Sequence, residues 1–165
     1  MRLEAHNLAV ELPKGWEGRI YARRPAVADR RQALQGGGTP HAPATLHAAS
    51  FALPREDGDF GSTATAGMSS RDAFLAVTEY LEGNGLRAGS GLFRHGRVQC
   101  ALEAGMFSPH TLLVARPGQA GFQHFFTEAG RPFCLYVVVG SLRSAEGALR
   151  ELNGVLRSLR IQARP

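Results

Sequence analysis

Lysine is almost missing from this chain: Lys14 stands alone against 18 arginines. The arginines are scattered from Arg2 to Arg164 with only two doublets, Arg23-Arg24 and Arg30-Arg31. The formal charge of +5 is therefore not gathered into the basic stripe that nucleic-acid binding requires, which disfavours nucleic acid as a partner. The arginine excess also fits a high-GC genome. Cysteine is equally scarce. Cys100 and Cys134 stand apart without a CxxC pair and read as two reduced thiols packed as small hydrophobes, with a disulfide between them as the alternative. Long apolar runs are absent too. The longest, residues 133–139, is far too short to cross a bilayer, and residues 1–14 never assemble the apolar core of a signal peptide. No membrane span is expected, and the expected location is the cytoplasm.

Motifs that carry chemistry are missing as well. The six histidines, at 6, 41, 47, 95, 110 and 124, have no pair at i+2 or i+4, the spacings that set two imidazoles on one face of a strand or helix. A metal site would have to be assembled from distant positions such as His47, His95 and His124. Asp57-Gly58-Asp59-Phe60-Gly61 opens like a calcium loop, but Ser62 and Met68 occupy the positions that need a glycine and a bidentate glutamate. Gly83-x-Gly85-x-x-Ala88 imitates a dinucleotide fingerprint, yet it follows an expected helix instead of joining a strand to one. Glu4 and His6 share a strand face, as a general base and its partner would, and read as solvated charge. His124 and Glu128 also share a face, but about 13 Å apart. No GxSxG elbow, Walker loop or HExxH occurs. No catalytic, cofactor-binding or metal-binding residue is assigned on this reading, no cofactor is expected, and the chain is expected not to be an enzyme.

What is present is a folding pattern. With 44% hydrophobic and 20% charged residues, the 165-residue chain matches globular proteins, and a single domain over 1–165 is expected. Leu8, Val10 and Leu12 alternate with polar or small neighbours, Pro13-Lys14-Gly15 supplies a turn, and alternation resumes from Trp16 to Ala22, which predicts an N-terminal β-hairpin. Residues 24–44 contain Gly36-Gly37-Gly38 and Pro25, Pro40 and Pro43, and are expected to form a flexible loop. A strand follows over 45–53, ended by Pro54.

Ser69 or Ser70 is placed to cap one middle helix over Phe74, Leu75, Val77, Tyr80 and Leu81, with Asp72 in its first turn and Gly83-Asn84-Gly85 as its stop. Two strands are expected in 86–117, near 98–102 and 111–115. Residues 121–128 and 132–140 read as a hairpin around Ala129-Gly130-Arg131, its second strand covered on both faces. Ala148, Leu152, Val155, Leu156 and Leu159 recur at helical spacing and predict a long C-terminal helix, capped by Ser141 or Ser144. The fold class is α+β, with a mainly antiparallel sheet.

That order of elements, the opening Leu12-Pro13-Lys14-Gly15-Trp16 and the closing Leu-Arg-Ser-Leu-Arg-Ile at 156–161 resemble the PsbP-like superfamily of α/β/α sandwiches across nearly the whole chain. That superfamily includes photosystem extrinsic subunits, a Ran-binding nuclear import factor, actinobacterial lipoproteins and chaperones that guard effectors of bacterial secretion systems. The resemblance implies binding rather than catalysis, and it carries no catalytic set over to this sequence.

Taken together, these readings point to a non-catalytic adaptor or accessory protein whose partner is another protein of unknown identity. The alternative within that class is a chaperone for a secretion-system effector or structural component, expected as a homodimer with a concave apolar sheet face. Phe122, His124 and Phe126 on one face of a strand, Phe125 on the other, and Trp16 and Tyr21 near the hairpin are either core or part of such a groove. The rival reading is a small-molecule enzyme or ligand carrier with a sheet-helix pocket lined by His47, Phe93, His95 and Phe126.

Overall fold

A computed structural model of the protein describes residues 1–23 and 41–165. In chain order its elements are β1 (Arg2–Ala5), β2 (Leu8–Glu11), β3 (Glu17–Ala22), β4 (Ala44–Ala49), the short helix α1 (Ser62–Ala66), β5 (Ala73–Glu79), β6 (Ala120–Glu128), β7 (Arg131–Val139), the helix α2 (Ala145–Ser158) and β8 (Arg160–Ile161). Short 3-10 turns lie at Gly91–Phe93, Ala104–Met106, Pro109–Thr111 and Leu142–Ser144. Five strands form one antiparallel sheet in the order β3-β4-β5-β7-β6, and three form a second in the order β1-β2-β8. The protein is thus α+β, mainly antiparallel, with an N-terminal hairpin and a long C-terminal helix. No helix among the described residues is long and apolar enough to cross a membrane.

Beside the middle strand β5 lies β7. All nine of its residues are buried, because its Phe, Leu and Val side chains point alternately to two covered faces. On one face Leu46, Leu75, Val77, Leu135, Val137 and Phe126 pack beneath α2 and the small sheet, which contribute Leu149, Leu152, Val155, Leu8 and Val10. On the other, Phe74, Ala76, Tyr136 and Val138 are covered by Phe51, Leu53, Phe60 and Met68 from residues 50–68. α2 presents an apolar stripe on its inner side and arginines outside, as its 3.6-residue period predicts. The β6–β7 hairpin also forms as expected. Its turn is tighter than expected, because Glu128 pairs with Arg131 and leaves only Ala129 and Gly130 between the strands. Both carry the positive φ that a two-residue turn of this kind demands, 52° and 72°.

Four expectations are corrected. The strand over 8–12 does not form a hairpin with that over 16–22: β2 pairs with β1 and β8, while β3 pairs with β4. Residues 12–16 instead carry the chain from one sheet to the other. The sheets meet at Gly18, where a Cβ would stand 2.6 Å from Leu12 Cδ1 and 2.9 Å from Leu3 Cδ1. The N-terminal hairpin is β1–β2, turned by His6 and Asn7, so His6 does not share a strand face with Glu4.

The expected middle helix over Phe74–Leu81 is the strand β5, buried at all seven positions. A strand covered on both faces is apolar throughout and loses the alternation that distinguishes strand from helix. Ser69 and Asp72 instead close a turn before it, with the Ser69 N–H donating to the Asp72 carboxylate at 2.7 Å. The described middle helix is α1, five residues long. The two strands expected in 86–117 are replaced by 3-10 turns and isolated bridges at Gly83–Leu86 and Ser108–Gly121. The expected loop at 24–44 lies outside the described residues up to residue 40, and its last residue, Ala44, opens β4.

Gly140 follows β7 where the chain passes the turn before β5, and its N–H donates to the Asp72 carbonyl at 2.9 Å. A Cβ there would stand 1.9 Å from the Ser69 carbonyl oxygen, which is backbone and cannot swing aside. Gly140→Ala is expected to cost about 3 kcal/mol, read as a lower midpoint in urea denaturation with an unchanged slope.

Candidate functional site

Two arrangements organise the end of β5 and the connection that follows it. The first is Glu79, whose side chain is 1% exposed. Arg131 grips it in a fork, Nε to Oε1 at 2.9 Å and Nη2 to Oε2 at 3.0 Å. Arg164 adds a second guanidinium, Nε to Oε1 at 3.2 Å and Nη2 to Oε2 at 2.5 Å. The Ala44 N–H donates to Oε2 at 2.9 Å. Arg131 continues outward to the Gln162 and His6 carbonyls, at 2.9 and 3.3 Å, and Arg164 to the Ala42 carbonyl at 3.0 Å. One carboxylate thereby ties the start of β4, the β1–β2 turn, the β6–β7 hairpin and the C-terminal residues together. Burial raises the Glu79 pKa, but the hydrogen bonds from Arg131, Arg164 and Ala44 outweigh it and hold the carboxyl at about 2.

The second arrangement is the connection from β5 to β6, residues 80–119, which wraps around the edge strand β6 as a clasp. It begins on the sheet face away from α2. There Phe93 is fully buried with its ring 5.4 Å from Tyr80 and 5.8 Å from Phe125. It crosses the edge where the Thr127 N–H donates to the His95 carbonyl at 2.8 Å and His124 Nε2 donates to the Gly96 carbonyl at 2.8 Å.

On the helix face Arg97 reaches the Leu159 carbonyl and Glu128, at 2.9 and 2.7 Å. The Asn153 amide there bonds both the N–H and the C=O of Leu102, at 2.7 and 3.0 Å. Phe107 packs on Phe122. The chain then recrosses at Ser108, which exchanges two backbone bonds of 2.9 Å with Gly121. It returns to the first face with Leu112 half-buried against the core there and the Leu113 N–H donating to the Tyr136 hydroxyl at 3.2 Å. Thr127 and Gly121, six residues apart, set the two crossings about 20 Å from each other. Leu92, Leu113 and Val114, at 52%, 58% and 48% exposure, stand where the clasp lies on the face away from α2.

The residues singled out from sequence are mostly not brought together. His47 and Phe93 lie on the face away from α2 and Phe126 on the other, so the expected pocket of His47, Phe93, His95 and Phe126 does not form. His95 and His124 are neighbours, with ring centroids 6.4 Å apart, but His47 does not join them. Among the described residues no group of three or more His, Cys, Asp or Glu is placed to hold a metal. His47 is fully buried between the Tyr21 and Phe74 rings, and its Nε2–H donates to the Asp59 carbonyl at 2.9 Å; burial lowers its pKa.

The calcium-like stretch serves other ends. Asp57 accepts the Thr63 and Ala64 N–H groups at the start of α1, at 2.9 and 2.7 Å, and Asp59 pairs with Arg23 at 2.5 Å. Gly83 and Gly85 flank a tight turn closed by the Gly83–Leu86 bridge. Glu4 pairs with Arg2 on the surface, and Glu128 pairs with Arg97 rather than His124. Trp16 is core, its Nε1–H donating to Glu151 at 2.7 Å. Neither Glu79 nor the clasp was found from sequence. Their partners lie far apart along the chain, and only the charged residue at the end of an apolar run could have signalled Glu79.

The two cysteines are free thiols, Cys100 exposed and Cys134 buried, which settles the alternative of a disulfide against it. Cys100 lines a groove of about 350 Å³ beside α2 with Arg97, Val98, Leu135, Leu156 and Arg157. Burial pushes the Cys134 thiol up to about 11. No family model, curated protein or solved structure matches the chain.

The Glu79 contribution to stability is complete above pH 4.5, the ordinary value of the group, and is lost as pH falls toward 2. It amounts to about 3 kcal/mol. In Glu79→Gln that acid limb is expected to flatten, as measured by urea midpoints at stepped pH. In the native protein at neutral pH, a thiol reagent is expected to modify Cys100 and leave Cys134 untouched until denaturant is added, as read by mass spectrometry of the labelled peptides.

Proposed function

We propose that this protein is a non-catalytic protein-binding module whose partner docks on the clasp beside β6. The observation that carries this reading is the placement of exposed apolar side chains. Of the four large hydrophobics that stand exposed among the described residues, three, Leu92, Leu113 and Val114, belong to residues 80–119. That connection is long but is held at both edge crossings by backbone hydrogen bonds and by the buried Phe93 and Phe107. Long connections positioned by a rigid scaffold are a common location for recognition.

Between the two exposed tips, half-buried Phe125 and exposed Gln123 continue the strip on the same face. The hydrogen-bond phase fixed by Gly121 and Thr127 turns the backbone groups of Gln123 and Phe125 outward. A partner is offered apolar contacts at either end and backbone donors and acceptors between them.

Membership of the PsbP-like superfamily is part of the same proposal. It is supported by the Leu12-Pro13-Lys14-Gly15-Trp16 segment, the five-stranded antiparallel sheet and a C-terminal helix laid on one face of it. Two free thiols suit the reducing cytoplasm, where we place the protein.

Changing Leu113 and Val114 together to Asp is expected to leave the melting temperature within a few degrees of the parent, because both are exposed. It is expected to abolish retention of the partner when tagged parent and variant are crosslinked and purified side by side from the native host. Recovery of the same proteins by both, or of none by the parent, overturns the reading.

A further inference from the structure

β1 is the outer strand of the three-stranded sheet, and the phase of its hydrogen bonds can be read from its first pair. The Leu12 N–H donates to the Met1 carbonyl at 2.7 Å and the Met1 nitrogen to the Leu12 carbonyl at 2.8 Å. Bonded pairs alternate along an antiparallel ladder, so Leu3–Val10 and Ala5–Leu8 are the next bonded pairs. The backbone groups of Arg2 and Glu4 therefore point away from β2. The same phase shows on the far side of β2. There the Glu11 N–H and C=O meet the Ser158 hydroxyl at 2.9 and 3.1 Å, and the Asn7 carbonyl accepts from the Gln162 N–H at 2.9 Å. On the near side, no described residue bonds the backbone of Arg2 or Glu4. Their side chains stand together on the outer face, 65% and 59% exposed and 2.8 Å apart, while Leu3 between them turns inward.

We propose that β1 pairs antiparallel with β1 of a second copy of this chain, about a two-fold axis at Leu3. This register is the one in which the strand complements itself. Arg2 falls opposite Glu4 of the second copy, and Glu4 opposite its Arg2, each as a hydrogen-bonded pair in which both residues donate and accept. Leu3 meets Leu3 on the inner face beside Leu12 and Gly18. The three-stranded sheet becomes one of six strands, and two intrastrand ion pairs gain cross-strand counterparts. A foreign strand finds the alternating charge unfavourable unless it carries the opposite order, which is how a charged edge selects its partner. This surface is separate from the clasp, so the two proposals stand or fall independently.

Sedimentation of the full chain tests it by charge reversal. The weight-average mass of the parent is expected to rise from 17.7 kDa toward twice that value with concentration, and less so in high salt. Glu4→Arg or Arg2→Glu alone sets like charges opposite each other twice and is expected to weaken association by about tenfold. The double reversal Arg2→Glu with Glu4→Arg restores opposite charges and is expected to recover it. Amide exchange supplies a second readout: the Arg2 and Glu4 amides gain protection with concentration, whereas Leu3 is protected throughout. A parent that stays monomeric at every concentration overturns the proposal, as does association indifferent to the single reversals or not rescued by the double one.

Discussion

The fold depends on one carboxylate. Glu79 ends β5, the middle strand of the large sheet, is almost wholly buried, and receives two guanidiniums and a backbone N–H. A lone charge in that position would be expelled or neutralised; here the fork from Arg131 and the second grip from Arg164 keep it ionised. The consequence is geometric as much as energetic. Because Arg131 also bonds carbonyls of the β1–β2 turn and the C-terminal residues, the small sheet cannot shift over the large one without stripping partners from a buried charge. An apolar contact at the same place would hold the layers together without fixing their register.

The sheet edges show a second constraint. β6 ends the large sheet and would expose a row of unpaired amides, but the 80–119 connection crosses it at Ser108 and at His95 and occupies both ends. β1 ends the small sheet with no strand paired to its outer side among the described residues, and carries charge instead. Covering an edge and charging it are alternative ways of controlling what pairs there. The covered edge carries exposed apolar side chains on the connection that crosses it, and the charged one carries Arg2 and Glu4 on one face.

Legibility in the sequence followed the range of the interactions. The C-terminal helix was readable because Ala148, Leu152 and Val155 recur within one element, and the β6–β7 hairpin because both strands and their turn are adjacent. β5 was misread, since coverage on both faces erased its alternation and left an apolar run with helix-compatible spacing. The N-terminal hairpin was expected one strand too late, because Pro13-Lys14-Gly15 marks a turn whether the chain reverses within a sheet or passes to another. The clasp was illegible: its 3-10 turns have no period, and its anchors on Thr127, Asn153 and Tyr136 lie 23 to 51 residues away in sequence.

By itself, then, the sequence determined that this chain is α+β, where its most apolar strand and its long helix lie, and which side of that helix is wet. Those properties follow from side-chain period and turn chemistry, which act over a few residues. The tertiary structure alone decided which strands share a sheet, that Glu79 would meet arginines 52 and 85 residues away, and that Leu92, Leu113 and Val114 would stand exposed. Pairing and charge burial are settled between segments with no shared local pattern, and only the folded chain brings them within bonding distance.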